Sequence, residues 1–313
     1  MTVKNKIAII IPYYKLSYFN VLLDALLNQT NKNFNLYVGD DCSVSSPLEL
    51  IAHYRNKLNI NYKRFDKNLG SISLAKQWER CLGMVGDEEW VWVLPDDDVP
   101  SSNVVEAFYI ALSEVEIYNI KVFRLPLKFI DGKNMPMPSQ TYSDPQVENN
   151  LDFYMRLLKG ETDSTLGDNI FHKETLEKSG GFVDFPKAWG SDHATVLNVS
   201  AGGNLYLLEN TFLSFRMSGE NISSDMSDGV EKLKSRIAFA KWLKTNEHIF
   251  PKKPDSTFWK FFYWKGEYYV LNEWKFSLNL WKELYTLRKM CFYSSNILPL
   301  LKILFKKLFV DKK

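Results

Sequence analysis

Through the first hundred residues, apolar runs and helical repeats take turns, and each apolar run stops at a polar turn. Ile7-Ala8-Ile9-Ile10-Ile11 is continuous and mostly β-branched, then ends at Pro12-Tyr13-Tyr14. Runs without polar alternation suit central parallel strands covered on both faces. Phe19, Leu22, Leu23, Leu26 and Leu27 then recur at helical spacing, and Asn35 to Gly39 forms a second strand closed by Asp40-Asp41-Cys42-Ser43. Strand, helix and strand in this order predict a right-handed βαβ unit. A helix carrying Leu50, Ile51 and Tyr54 leads to a third strand near Ile60 to Phe65, and Asn68-Leu69-Gly70 turns the chain into a helix near Ser73 to Cys81. The pattern predicts an α/β fold in which three strand ends lie on one sheet edge, where ligands of open sheets bind.

The run Trp90-Val91-Trp92-Val93-Leu94 reads as a further buried strand, and it stops at Pro95-Asp96-Asp97-Asp98. Three carboxylates cannot share a dry site without repulsion unless a cation offsets them, and hard divalent ions such as Mg²⁺ or Mn²⁺ prefer carboxylate oxygen. A solvated turn accounts equally for the same residues at this point.

Further along, Val104 to Val115 is expected to be helical, Lys121 to Phe129 a strand, and Gly132 to Pro145 a long irregular loop. Leu151 to Leu158 reads as helix and Asn169-Ile170-Phe171 as strand. Gly180-Gly181-Phe182-Val183-Asp184 makes a turn, Ala194 to Val199 a helix, and Leu205 to Leu208 and Phe212 to Arg216 two more strands. No internal repeat or low-complexity tract interrupts this order.

From about Gly229 the pattern changes to helices crowded with aromatics, among them Trp242, Trp259, Phe262, Trp264, Tyr269 and Trp274, with lysines interleaved. Packing against the preceding domain accounts for most of this; no recognised nucleic-acid motif accompanies it, so no nucleic-acid partner is expected. In the last stretch Ile297, Leu301, Leu304, Phe305 and Leu308 share one face opposite Lys302, Lys306 and Lys313, as in helices that lie in an anionic membrane interface. The balance of 39 basic and 37 acidic residues hides this asymmetry, since basic residues concentrate after about Glu231. Cys42, Cys81 and Cys291 are odd in number and widely spaced, which argues against a disulfide framework or zinc site and suits a reducing cytoplasm. The apolar run at Ile7 is too short for a signal segment, and no stretch reaches an uninterrupted transmembrane length.

The series Ile9-Ile10-Ile11-Pro12-Tyr13-Tyr14, Leu36 to Ser43, Asn68-Leu69-Gly70 and Asp96 to Asp98 resembles the family 2 glycosyltransferases of the GT-A fold. Gly180 to Asp184 followed by Asp192 is similar to the family's Gly-Gly-Phe-Asp element and its later acidic motif. The usual Glu-Asp is Ser191-Asp192 here, and the segment Arg216 to Asn221 with Ser223, similar to the one that closes the donor site, has Ser218 where a His is common. The resemblance covers about residues 5 to 225. It implies a Rossmann-like nucleotide-diphospho-sugar transferase with a mostly parallel sheet in residues 1–225, its nucleotide half at 1–115 and its acceptor half at 116–225, followed by a helical extension at 226–313.

What the resemblance implies for the site is a nucleotide-sugar donor, UDP-linked in many relatives, held by Pro12, Tyr14, Asp41, Asn68, Gly70 and Asp96. Asp41 would accept the uracil N3 proton, with Asp40 fixing the loop, and Tyr14 would supply contact. A divalent metal, Mn²⁺ or Mg²⁺, is expected at Asp96, Asp97 and Asp98, with Asp97 or Asp98 as direct ligand. Asp192 would be the general base of an inverting transfer onto a glycan or lipid-linked saccharide; as a bare residue it reads as a helix cap before Ala194. His193 is expected to be structural, and Arg216 either a phosphate contact or the partner of a carboxylate. A cytoplasmic enzyme peripheral to the membrane face is expected. The alternatives are a non-catalytic nucleotide-sugar or glycan-binding protein on the same fold, and a nucleotidyltransferase, which would call for a Gly-rich basic loop that Pro12-Tyr13-Tyr14-Lys15 does not offer.

Overall fold

The computed structural model describes residues 5–219, 229–272 and 277–292. Asn221, Ser223, Trp274 and the amphipathic stretch from Ile297 to Lys313 lie outside the described residues.

The first half follows the alternation read from the sequence: β1 (Ile7–Tyr13), α1 (Phe19–Leu27), β2 (Phe34–Asp40), α2 (Leu48–Tyr54), β3 (Ile60–Arg64), α3 (Leu74–Leu82) and β4 (Trp90–Val93). After β5 (Val99–Pro100) come α4 (Val104–Ala111), α5 (Glu114–Tyr118), β6 (Ile120–Arg124), β7 (Leu127–Asp131), β8 (Val147–Glu148), α6 (Asn150–Lys159) and β9 (Asn169–His172). The remainder is α7 (Lys173–Lys178), α8 (Ser191–Val199), β10 (Asn204–Leu207), β11 (Leu213–Met217), α9 (Gly229–Thr245), α10 (Ser256–Asn272) and α11 (Leu278–Phe292).

An eight-stranded sheet has the order β3-β2-β1-β4-β9-β6-β10-β8. Its β3-β2, β2-β1, β1-β4 and β6-β10 pairs are parallel, whereas β9 runs antiparallel to both of its neighbours and β8 antiparallel to β10. A second sheet of β5-β11-β7 stands beside it. The strand expected over Lys121 to Phe129 is therefore two strands. Pro126 lacks the N–H a continuing ladder needs, and the chain passes at Leu125-Pro126 from the large sheet to the small one. Likewise the helix expected over Val104 to Val115 breaks after Ala111 and resumes at Glu114.

Ile7 to Ile11 are wholly inaccessible, as expected for a strand covered twice. Ile7, Ile9 and Ile11 join Trp90, Trp92 and the apolar faces of α1 and α4 in one core. Ala8, Ile10, Val91 and Val93 point the other way, into a core shared with α3, α6, α8 and the helices α9 to α11. The aromatic tail thus completes the second core: Phe239, Phe258, Phe262 and Tyr263 are buried in it. No helix among the described residues is long and apolar enough to cross a membrane.

Candidate active site

A cleft of about 630 Å³ opens along the carboxyl ends of β1, β2 and β4. Its walls include Pro12, Tyr14, Asp41, Asn68, Gly70, Asp96 and Asp97 from the first half, and Asp192 from α8. Parallel register explains the first group: Tyr13 lies beside Asp40, so three strand ends emerge at one level.

Asp40 is fully buried and accepts hydrogen bonds from the Ser43 N–H (2.8 Å), Tyr62 Oη (2.7 Å) and Arg64 Nη1 (2.8 Å). Burial alone would raise its pKa, but these donors hold it below the usual carboxylate range. It fixes the loop, as expected. Asp41 faces the cleft but is also heavily engaged: its Oδ1 accepts the Leu69 N–H at 2.6 Å and an Arg80 guanidinium N–H, and its Oδ2 accepts the Gly70 N–H at 2.8 Å. Of about four lone-pair positions on a carboxylate, about one on Oδ2 is left for a ligand. Gly70 is required by this arrangement, because a Cβ there would stand 2.6 Å from Asp41 Oδ2. The close approach that the glycine allows is therefore to Asp41. Asn68 closes the same turn by accepting the Ser71 N–H at 2.9 Å. Tyr14 is 42 % exposed and presents its ring at the mouth.

The three-carboxylate turn links β4 of the large sheet to β5 of the small one, and its members part company. Asp96 Oδ2 accepts the backbone N–H groups of Tyr14 and Lys15, each at 2.8 Å, which ties the turn to the end of β1. Burial, reinforced by the charge of Asp97, outweighs those two bonds and raises its carboxyl to about 6. Asp97 lines the cleft. Asp98, expected among the metal ligands, turns away from it: Oδ1 accepts the Arg216 N–H at 3.0 Å, and Oδ2 is buried without a hydrogen-bond partner among the described residues. Burial, with the charge of Asp97 added, pushes its carboxyl well above the usual range. Arg216 anchors this carboxylate loop, donating from Nε to the Asp97 carbonyl (2.8 Å) and from Nη1 to that of Asp131 (3.1 Å), over the ring of Tyr18.

Among the described residues no three His, Cys, Asp or Glu side chains converge as a metal cage. A magnesium-like ion in a nucleotide site needs only one or two carboxylates, with phosphate oxygens and water completing the shell. Asp97 and the Oδ1 of Asp96 fit that requirement.

On the opposite wall Asp192 stands in the first turn of α8 and does not cap it; the cap position belongs to Gly190 in the left-handed region (φ 86°). Asp192 Oδ1 accepts the His193 N–H at 2.8 Å, and the side chain is 23 % exposed. The Gly-Gly-Phe element holds this helix in place. Gly181, left-handed at φ 78°, lies where any Cβ would strike Glu79, while Val183 N–H donates to Thr195 Oγ1 and Phe185 N–H to Ser191 Oγ, both at 3.0 Å. Ser191 is thus a buried anchor where the family commonly has glutamate. His193 contacts the Ser164 carbonyl at 3.2 Å, consistent with a structural role.

The rest of this wall carries no motif in the sequence. Tyr154, Trp189, Arg236, Phe239, Lys265 and Tyr269 also line the cleft, four of them from α9 and α10. Their only signal was the interleaving of basic and aromatic residues, which packing explains equally well.

The comparisons with known proteins agree with this geometry. The family model for glycosyl transferase family 2 matches residues 8–172, more than half of the chain. The chain is 25 % identical over 185 residues to the poly(ribitol-phosphate) β-N-acetylglucosaminyltransferase TarS of Staphylococcus aureus strain MW2; the match covers 58 % of this chain and 30 % of TarS. The chain thus spans about a third of the length of that relative. The structure of residues 1–349 of S. aureus TarS in complex with UDP-GlcNAc superposes with a TM-score of 0.70 at 18 % identity, covering 91 % of this chain and 81 % of that one. The mannosyltransferase PcManGT of Pyrobaculum calidifontis, in complex with GDP-Man and Mn²⁺, gives 0.57 at 14 % identity over 100 % of this chain and 82 % of its own. Parallel strand ends forming a nucleotide-sized cleft, an acidic turn after β4 and the matching family model lead to one assignment: the chain has the GT-A fold and belongs to glycosyl transferase family 2.

Proposed function

We propose that the protein transfers a sugar from a nucleotide donor, UDP-linked, to a hydroxyl of a saccharide or lipid-linked saccharide acceptor, with inversion at the anomeric carbon. The observation that carries this reading is one continuous cleft in which Asp41, Asn68, Gly70, Asp96 and Asp97 face Asp192. TarS, whose structure with UDP-GlcNAc shares the fold, supports the choice of a uridine nucleotide.

In this reading residues 1–115 hold the donor and the walls contributed after residue 116 hold the acceptor. Tyr14 and the remaining lone pair of Asp41 meet the base, and the Asn68–Gly70 turn lies along the nucleoside. Asp96 and Asp97 would hold a divalent cation, which when bound neutralises the diphosphate and stabilises the departing nucleotide. Asp192 takes the proton of the acceptor hydroxyl as that oxygen bonds to the anomeric carbon and the bond to the diphosphate breaks. Its partial exposure and a single hydrogen bond from its neighbour leave the carboxylate able to accept that proton. The basic amphipathic stretch after Phe292 supports a peripheral position on the cytoplasmic membrane face.

The test is a panel of nucleotide sugars with Mn²⁺, scored by nucleotide release and by product. Release with a UDP-sugar, abolished by EDTA and restored by Mn²⁺, is the expected result; no release with any donor and acceptor refutes the reading.

A further inference from the structure

Lys265 is the feature of the cleft that the donor chemistry leaves unused. It lies on α10, half-buried, and lines the cleft, yet its ammonium makes no hydrogen bond or ion pair with a described residue. The nearest charges act in opposite directions: Arg236 lowers its pKa and Asp163 raises it, while burial lowers it most. Arg236 is spoken for, since its guanidinium donates to the Phe262 carbonyl and lies 4.1 Å from the Phe262 ring centre. Asp163 accepts the Tyr142 hydroxyl at 2.9 Å. A half-buried, unpaired cation beside a second cation is unfavourable in the free protein and becomes favourable when an anion enters.

Its place in the cleft tells which substrate brings that anion. Tyr269 follows Lys265 by one helical turn and packs its ring against Trp189, centres 5.7 Å apart. Trp189 stands three residues before Asp192, in a loop where Lys187 (φ 57°), Ala188 (φ 52°) and Gly190 (φ 86°) are all left-handed. That costly backbone is clamped from the tail: Ser235 Oγ donates to the Trp189 carbonyl at 2.8 Å, and Gly190 faces the Phe239 ring so closely that a Cβ would stand 2.9 Å from it. Through Tyr269 and Trp189, Lys265 thus belongs to the part of the cleft that the tail and the loop before Asp192 build, which exposed Lys187 also lines.

Resting on the proposed transferase reading, we infer that Lys265 and the Trp189–Tyr269 pair form an acceptor subsite for an anionic saccharide or polyol, its phosphate or carboxylate on Lys265 and its carbon face on the rings. The acceptor is charged, and the helical tail selects it.

The test measures binding to the full chain saturated with UDP and Mn²⁺, by calorimetry, with three probes of equal length: an oligo(glycerol phosphate), a glucuronate-containing oligosaccharide and an uncharged oligosaccharide. At least one anionic probe should bind about tenfold more tightly than the uncharged one, and which one does so separates phosphate from carboxylate. Lys265→Met should abolish most of that preference, Lys265→Arg should retain it, and UDP affinity should stay unchanged in both. Absence of a charge preference in the wild-type chain overturns the proposal, as does its persistence in Lys265→Met. Weakened UDP binding in Lys265→Met, with acceptor preference intact, would instead assign the lysine to the donor diphosphate. Because these are binding readouts, they fail independently of the turnover panel that tests the transferase reading.

Discussion

The two walls of the cleft are built by different means. On the donor wall every fixing contact to the paired carboxylates Asp40 and Asp41 comes from residues 43 to 80, within one βαβαβα stretch. On the acceptor wall the loop before Asp192 is shaped by residues 235 and 239, and the ring against Trp189 comes from residue 269. The Asp40–Asp41 end of the donor site is therefore fixed locally, the Asp96–Asp98 turn is anchored from β11 by Arg216, and the opposite surface depends on how the tail packs. Such a division allows acceptor choice to change without disturbing the donor site.

One buried group lies under the floor between the walls, and removing it should have the largest effect on stability. Buried Arg124 donates to the Asp163 carbonyl (2.9 Å) and lies near Glu148 (3.5 Å) and Asp168 (3.9 Å), beneath the Ser164–Gly167 segment of the cleft. Arg124→Met should cost about 3–5 kcal/mol, because buried Asp168 loses its counter-ion, whereas Glu148 keeps Arg156 at 3.0 Å. Chemical denaturation checks this, and a loss below about 1 kcal/mol would show that Asp168 does not depend on Arg124.

Asp168, inside the same network, should give a pH signature. Burial raises its carboxyl from 3.8 to about 6 against the opposing charge of Arg124. The folded chain then binds this proton more tightly than the unfolded one, so its contribution to stability is fully present below about pH 4 and is lost as pH rises through about 6. Compared with Asp168→Asn, the wild-type chain should lose on the order of 2–3 kcal/mol across that window; parallel stability curves for the two proteins would contradict the assignment.

Two glycines sharpen the contrast. Gly70→Ala forces a Cβ against Asp41 and should cost about 1–2 kcal/mol of stability and weaken UDP binding, with acceptor affinity kept. Gly190→Ala, at φ 86° and against Phe239, should cost about 1 kcal/mol and raise the acceptor KM while UDP affinity stays unchanged. Titrating both variants with UDP decides the matter, and equal loss of UDP affinity in the two would mean that the walls are not separable.

The same contrast explains what was legible in the sequence. The strands β1, β2 and β4 and the edge they share follow from apolar runs ending in polar turns, since a strand buried on both faces has little freedom of composition. The Asp96–Asp98 cluster could be singled out because three carboxylates at the end of an apolar run repel one another, whereas Asp41 and Asp192 were marked only by the family resemblance. That Asp98 turns inward could not be read, because its orientation is set by pairing of β5 with β11, more than a hundred residues later. Nor could the break at Pro126 be placed between sheets without knowing that β11 lies beside β7. Lys265 and Tyr269 were invisible as site residues, for in sequence they are two more members of a basic, aromatic helix.

In the proposed reaction the two walls meet at one bond, with Asp192 as the base. The most direct measurement is steady-state transfer by Asp192→Asn beside the wild-type chain, with UDP affinity measured on the same samples. With Asp192 as the base, kcat falls by about 10²–10⁴-fold while the UDP Kd stays within about twofold. Undiminished transfer by Asp192→Asn would contradict it.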